Sequence, residues 1–182
     1  DNTMSKAAEL AKFIADGTLG SDVTAIKHSG GTSGLTIDSS GRILFPNKPA
    51  FSASRDAGHV TVGNFIVFDD VRVNIGSHYN ASDGKFTAPV AGNYAFFFYA
   101  MSNHSLNNVN IAIEFWKNGS YLGDASPLGR QSSDYSHGQI SGHIILTLAA
   151  SDYIQVKNAG GTDSTLYMTG NAHNEFSGFL IG

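Results

Sequence analysis

The chain has no cysteine among its 182 residues. This absence excludes disulfide bonds, thiolate zinc sites and cysteine nucleophiles, so packing or oligomerisation has to supply the stability. No apolar run approaches the roughly 20 residues of a membrane-spanning helix, and the first residues, Asp1-Asn2-Thr3, lack the basic start of a signal peptide. The sequence therefore predicts no membrane partner, and it is compatible with a fragment or a processed product.

Charge is also scarce, at 14% of residues against a usual share of about 25%. Lysine and arginine number 11 and aspartate and glutamate 15, which gives a formal net charge of −4. A surface of this kind has no basic footprint with which to neutralise phosphates. Nucleic acid is therefore excluded as a partner.

Motifs for catalysis or metal binding are missing as well. The 7 histidines form neither a His-Glu-x-x-His helix motif nor a His-x-His pair, and no serine lies in a Gly-x-Ser-x-Gly turn. The aspartates lack the spacing of a calcium-binding loop, and solvated turn residues are the better interpretation, with calcium kept as an alternative. We expect no enzymatic activity and no cofactor. His143 lies out of phase with Ile144 and Leu146 in a strand pattern, which suggests a place at an interface.

The N-terminal quarter of the chain divides into two segments. Apolar residues recur at helical spacing within residues 1–16, which predicts a short helix or a frayed segment. Residues 17–48 are rich in Gly, Ser and Thr, and residues 34–43 indicate a strand, a turn and a second strand. This pattern resembles one repeat of the trimeric shafts of viral and bacteriophage fibres. The alternative is a flexible linker with one hairpin.

Beyond Pro49 the apolar period changes to two, for example along residues 71–75, 94–98 and 109–115. These short segments are separated by turn residues such as Asp83-Gly84 and Asn118-Gly119, with no long helical pattern between them. Residues 49–182 therefore predict an all-β head, an antiparallel sandwich or jelly roll.

Eight residues of the head are separated in turn by five, four, six, five, one, one and one intervening residues. They are Phe68, Asn74, Tyr79, Phe86, Gly92, Tyr94, Phe96 and Phe98. This order resembles the complement C1q globular head family, within the tumour-necrosis-factor-like jelly rolls, and residues 51–55, 116–119 and 176–181 extend the similarity. The resemblance implies a homotrimeric, non-enzymatic binding head.

The strand around Tyr94 predicts how the trimer is built. Tyr94, Phe96 and Phe98 alternate onto one face, while Ala95, Phe97 and Tyr99 give the other face an apolar character too. We expect one face to meet the second sheet and the other to meet neighbouring subunits. The residues assigned to the core and the trimer are Phe86, Tyr94, Phe96, Phe98 and Phe179.

Connections in an antiparallel jelly roll alternate between the two ends of the sandwich. The turns at 91–93, 118–119 and 149–151 are short and should lie at the end where the chain enters, whereas the segments 102–108, 124–137 and 158–174 are long and should lie at the distal end. Long loops are where function concentrates. The candidate ligand-binding residues on them are Asn103, His104, Asn107, Arg130, Asp134, Tyr135, His137 and Asp163.

Together these patterns predict the binding head of a viral, specifically bacteriophage, tail or capsid fibre. Its partners would be two further copies of itself, a host surface polysaccharide or outer-membrane protein, and other virion proteins held through the N-terminal stalk. The alternatives are a purely structural virion appendage and a secreted, extracellular lectin-like domain.

Overall fold

The computed structural model describes residues 8, 25–27, 30–31, 33–56, 58–102, 112–123, 139–160, 165–167 and 173–182. Within them no helix is long and apolar enough to cross a membrane. The described strands are β1 (Ala25–Lys27), β2 (Ser33–Ile37), β3 (Ile43–Leu44), β4 (Ala50–Ser54), β5 (Val60–Thr61), β6 (Asp70–Ile75), β7 (Tyr79–Asn80), β8 (Lys85–Thr87), β9 (Gly92–Ser102), β10 (Ile113–Lys117), β11 (Ser120–Tyr121), β12 (Gln139–Leu148), β13 (Tyr153–Asn158), β14 (Thr165–Tyr167) and β15 (Asn174–Leu180).

The chain divides into two compact units, residues 1–47 and residues 48–182. In the first unit β1, β2 and β3 form an antiparallel sheet in that order. The predicted strand, turn and second strand are present as β2 and β3, while β1 was not predicted. The predicted N-terminal helix lies outside the described residues, apart from Ala8.

The turn between β2 and β3 is fixed by one carboxylate. Asp38 Oδ1 accepts hydrogen bonds from the backbone N–H groups of Ser40 and Arg42 at 2.9 and 3.0 Å. The Arg42 guanidinium bonds Oδ2 at 2.6 Å, and these hydrogen bonds lower the pKa of the Asp38 carboxyl. The hairpin leaves several apolar side chains exposed, among them Ile26, Ile43 and Leu44.

The second unit is a sandwich of two antiparallel sheets. One sheet has the order β11-β10-β13-β8-β7. The other has the order β5-β14-β9-β15-β4-β6, with β12 paired to β9. Every strand pair is antiparallel, so the predicted all-β jelly roll is confirmed. Within the long segment 158–174 lies the short strand β14, which links β5 to the end of β9.

Aromatic rings fill the space between the two sheets. The Phe51 ring stacks on Tyr79 at 4.7 Å between centroids and on Phe86 at 5.0 Å, and it meets Phe176 edge-on at 4.8 Å. Each such side chain removes a large apolar area from water, worth about 2–3 kcal/mol. A cysteine-free chain thus obtains its stability from one packed aromatic core.

The residues of the eight-residue spacing have structural duties. The Asn74 side chain donates to the Tyr79 carbonyl at 2.9 Å and accepts from the Tyr79 N–H at 3.1 Å, which closes the turn between β6 and β7. The buried Tyr79 hydroxyl donates to the Phe68 carbonyl at 2.9 Å, and burial raises its pKa. The Tyr94 hydroxyl donates to the Val90 carbonyl at 2.8 Å.

The residues assigned to the core and the trimer divide between the core and the outer face of the larger sheet. Phe86, Tyr94, Phe96 and Phe98 are buried, whereas Phe179 is 43% exposed on the single chain. The reason is strand parity, because in β15 the residues facing the core are Phe176 and Gly178. Phe179 lies on the opposite face of the sheet.

The short turns lie together, as predicted, at the end where the chain enters the head. Asp152 joins two of them: its carboxylate accepts from the Asn118 side chain at 2.7 Å, the Lys117 ammonium at 2.7 Å and the Ala149 N–H at 2.8 Å. The Ser151 N–H donates to the carbonyl of Ala88, in the segment that leads into the turn at 91–93, at 2.8 Å. Leu180 donates to the Pro49 carbonyl at the same end, at 3.0 Å.

Gly178 is predicted to be intolerant of a side chain. A Cβ at this position would lie 2.5 Å from Cδ1 of Phe96 and 2.9 Å from the carbonyl oxygen of Ala95, which belongs to a central strand and cannot move away. We expect Gly178→Ala to lower the free energy of unfolding by about 1–3 kcal/mol through overpacking. Thermal denaturation measures the loss. Gly182→Ala, whose Cβ would meet nothing within 4 Å, is the control, and equal melting temperatures for the two variants would refute the packing assignment.

The contacts that Asp152 makes between the turns at 118–119 and 149–151 are predicted to weaken in acid. We call this set of contacts the Asp152 clamp. Hydrogen bonds from Lys117 and Asn118 lower its pKa from 3.8 to about 2. Because the folded-state pKa is depressed, the stabilising contribution is present above pH 3.8 and is lost as the pH falls towards 2. An NMR titration of the Asp152 carboxyl should show the low pKa in the native chain and a value nearer 3.8 in Lys117→Met. Identical titration curves would contradict the clamp.

Candidate interface and ligand-binding sites

The larger sheet has a second apolar face, turned away from the core. Register pairs Ile145 with Ala95, Ala95 with Phe179, Phe179 with Ala50, and Ala50 with Ile75 across β12, β9, β15, β4 and β6. Directly opposite residues of antiparallel strands share a face. A row of five apolar residues therefore crosses the outer surface of this sheet.

Large side chains of this face are exposed on the single chain. Ile145 is 65% exposed, and Phe97 and Phe179 are 42% and 43% exposed, with their rings stacked at 6.1 Å between centroids. Val73 and Ile75 extend the apolar surface on β6. Contiguous apolar patches of this kind mark interaction sites on soluble proteins. Sequence alternation predicted the part contributed by β9.

The same face becomes polar towards the end at which Tyr99, Ser141 and Glu175 lie side by side. We call this the far end of the face. A cleft of about 250 Å³ lies there, lined among others by Phe97, Tyr99, His143 and Glu175. The His143 ring stacks on Phe97 at 6.4 Å, and Glu175 forms an ion pair with Arg72 at 3.3 Å. His143 thus lies on the outer face, where its phase in the sequence had placed it.

The eight candidate ligand-binding residues, from Asn103 to Asp163, lie outside the described residues. The strands that flank them are described. β9 ends at Ser102, and β14 pairs with its last residues through Leu166 and Tyr167. Thr165 of β14 pairs with Thr61 of β5, so these strand ends share one end of the sandwich.

A second cleft, of about 220 Å³, lies at this distal end within the described part of the chain. It is lined by Arg55, His59, Val60, Thr61, Asn64, Phe65 and Val67. The Arg55 backbone is held by Asn174, whose side chain accepts from the Arg55 N–H at 2.7 Å and donates to its carbonyl at 2.9 Å. No local sequence pattern indicates this cleft, because Arg55 stands in a strand motif and its partner Asn174 is 119 residues away.

Within the described residues, no group of three or more histidine, aspartate and glutamate side chains could hold a metal ion. The described carboxylates serve turns and ion pairs, as Asp38, Asp152 and Glu175 do. The candidate sites in the described residues are the outer face of the larger sheet and the two clefts.

Two antiparallel sheets in this order, packed on one aromatic core, define a jelly roll of the tumour-necrosis-factor-like class. A family model described as the C1q domain matches residues 50–181. The chain belongs to the C1q domain family. Domains of this class typically form trimers and bind ligands, and they are generally not enzymes.

Solved structures share the fold. The globular domain of a zebrafish complement 1qA protein has a TM-score of 0.58 and 22% identity, covering 74% of this chain and 98% of that one. The Eiger TNF of S. frugiperda has a TM-score of 0.56 and 12% identity, covering 75% of this chain and 94% of that one.

Two curated relatives are animal proteins. The mouse collagen alpha-1(X) chain is 27% identical over 135 residues, and the zebrafish Caprin-2 is 28% identical over 139 residues. Each alignment covers 72% of this chain, but the chain spans only 18% and 14% of those relatives' lengths.

Proposed function

We propose that this chain is a trimeric, non-enzymatic recognition head, which presents its distal end to a surface ligand from a short β stalk. The observation that carries the proposal is the second apolar face of the larger sheet. A monomer gains nothing from exposing Ile145, Phe97 and Phe179 side by side, whereas three copies packed around an axis would bury them.

Polar groups at the far end of this face support the same arrangement. The apolar row continues into Ser177, Phe97 and His143, and then into Glu175, Tyr99 and Ser141. A face that is apolar at one end and polar at the other determines how the copies align with one another. Copies in another alignment would bury charged groups without partners. Membership of a family whose domains typically form trimers favours three copies.

The trimer is tested by placing a charge on the outer face. Ile145 is the most exposed large apolar residue there, so Ile145→Glu should leave the fold of each subunit intact while burying an unpaired carboxylate at the interface. Light scattering at micromolar concentration should report three copies for the native chain and one for the variant. Val62→Glu, at an exposed turn outside this face, should remain trimeric. A native chain that is monomeric at this concentration would refute the proposal.

The ligand-binding role is assigned to the distal segments. Asn103, His104, Asn107, Arg130, Asp134, Tyr135, His137 and Asp163 supply amide, imidazole, guanidinium, carboxylate and phenol groups. Such groups hydrogen-bond a saccharide or stack on its apolar face. A host surface polysaccharide or an outer-membrane protein is the proposed partner.

Combined Arg130→Ala and Tyr135→Ala changes test this assignment. We expect binding to the host surface to weaken about tenfold or more, because truncating interface anchors commonly costs 2 kcal/mol or more. The melting temperature should stay unchanged. Val90→Ser, at the opposite end of the sandwich, is the control. Periodate and protease treatment of the surface separate a polysaccharide from a protein ligand, and undiminished binding by the double variant would refute the assignment.

Two settings are compatible with a recognition head. The hairpin of β1–β3, with Ile26, Ile43 and Leu44 exposed, favours a fibre whose shaft joins three chains on a tail or capsid of a virus particle. The animal relatives favour a secreted, extracellular domain instead. The mass of the native particle that carries the chain separates them, because a virion exceeds any secreted trimer by orders of magnitude.

A further inference from the structure

The cleft at Arg55 joins a cation to groups that can donate hydrogen bonds. Of its lining, Arg55 carries a permanent positive charge, His59 an imidazole, and Thr61 and Asn64 a hydroxyl and an amide. None of the seven described residues that line it is acidic. In a chain of net charge −4, this is a local site of opposite sign.

Protein acceptors leave the Arg55 guanidinium incompletely paired. Nη1 donates to the Val67 carbonyl at 2.9 Å, which fixes the position of the group. Nε is buried and has no hydrogen-bond partner among the described residues. A guanidinium has five N–H donors in a rigid fork, and buried donors without acceptors are unfavourable. An oxyanion beside this group would supply acceptors where the described residues supply few.

Hydrogen bonds also position two other residues that line the cleft, Thr61 and Asn64. The Asn64 amide donates to the Thr61 hydroxyl oxygen at 2.8 Å, so the hydroxyl proton has to point to another acceptor. Asn64 also donates to the Thr61 carbonyl at 3.3 Å. This pair places a hydroxyl donor on the wall of the cleft that Arg55 also lines.

Size and apolar lining narrow the class of ligand. The volume of about 220 Å³ is smaller than the ~300–1,000 Å³ of pockets that enclose drug-sized molecules. Val60, Phe65 and Val67 complete the lining with apolar surface. The cleft therefore suits a small anionic group and the ring or chain next to it.

We propose that the cleft formed by Arg55, His59, Thr61 and Asn64 binds a small oxyanion, such as the carboxylate of an acidic sugar. It lies at the end of the sandwich from which the proposed ligand-binding loops extend, since β5 pairs with β14 and β14 with the end of β9. The site lies within one chain. Anion binding here and trimer formation can therefore fail independently.

Calorimetry of the full chain with glucuronate, inorganic sulfate and glucose tests the proposal. We expect glucuronate to bind saturably with a dissociation constant of about 1 mM, the range for a small ligand held by one charged group, and glucose not to bind. Tighter binding of glucuronate than of sulfate identifies a carboxylate on a ring, and the reverse order identifies a tetrahedral oxyanion. Equal binding of glucuronate and glucose, or no binding of either anion, would overturn the proposal.

Variants locate the binding. Arg55→Gln should weaken glucuronate binding about tenfold to 100-fold, the loss expected for hydrogen bonds to a charged partner, and Arg55→Lys should lose less because the charge remains. Arg72→Gln, which removes an arginine on β6 that does not line the cleft, should bind as the native chain does.

If Arg55→Gln fails to fold, substitutions of Thr61 and His59, which are exposed residues of the cleft lining, still test the proposal. Thr61→Val and His59→Ala change exposed side chains, and each should weaken glucuronate binding without lowering the melting temperature. Native affinity in both would overturn the assignment of the cleft.

Discussion

The head depends on the packing of aromatic rings between its two sheets. Phe51 touches rings from β7, β8, β9 and β15, so one side chain connects strands far apart in the chain. The ring of Phe96 fits over Gly178 because a glycine leaves the necessary space. In a chain without disulfides, this close approach of β9 and β15 holds the central strands in register. The positions of the turns and of the outer surfaces depend on that register.

The fold could be predicted from the sequence because its determinants are periodic. Alternation along residues 71–75 and 94–98 predicted strands, and the order from Phe68 to Phe98 carried the family resemblance that implies the jelly roll. The sequence did not separate Phe179 from the core residues, because a pattern of residue types does not show that Gly178, its neighbour, holds the inward position. Which residues of β15 face the core depends on its pairing with β9, where Gly178 lies opposite Phe96.

The sites were harder to predict for a different physical reason. Arg55 draws its geometry from Val67 and Asn174, 12 and 119 residues away, and no local pattern connects such partners. The outer face was anticipated where Ala95, Phe97 and Tyr99 alternate, and at His143. Its extension through Ile145, Phe179 and Val73 required the register of five strands. Distal residues such as Arg130 were selected by side-chain chemistry and connection length, and neither of these determines a loop conformation.

The residues that carry the family resemblance stabilise the fold. Asn74 closes a turn, Tyr79 and Tyr94 bond to backbone carbonyls, and Phe86, Phe96 and Phe98 fill the core. The candidate binding residues on the distal segments are not among them. A scaffold divided in this way can diversify its recognition surface by replacing loop sequences while the core stays constant. Grafted or randomised segments at residues 103–108 and 124–137 would be expected to leave the sandwich intact, which makes this head a framework for selecting new binders.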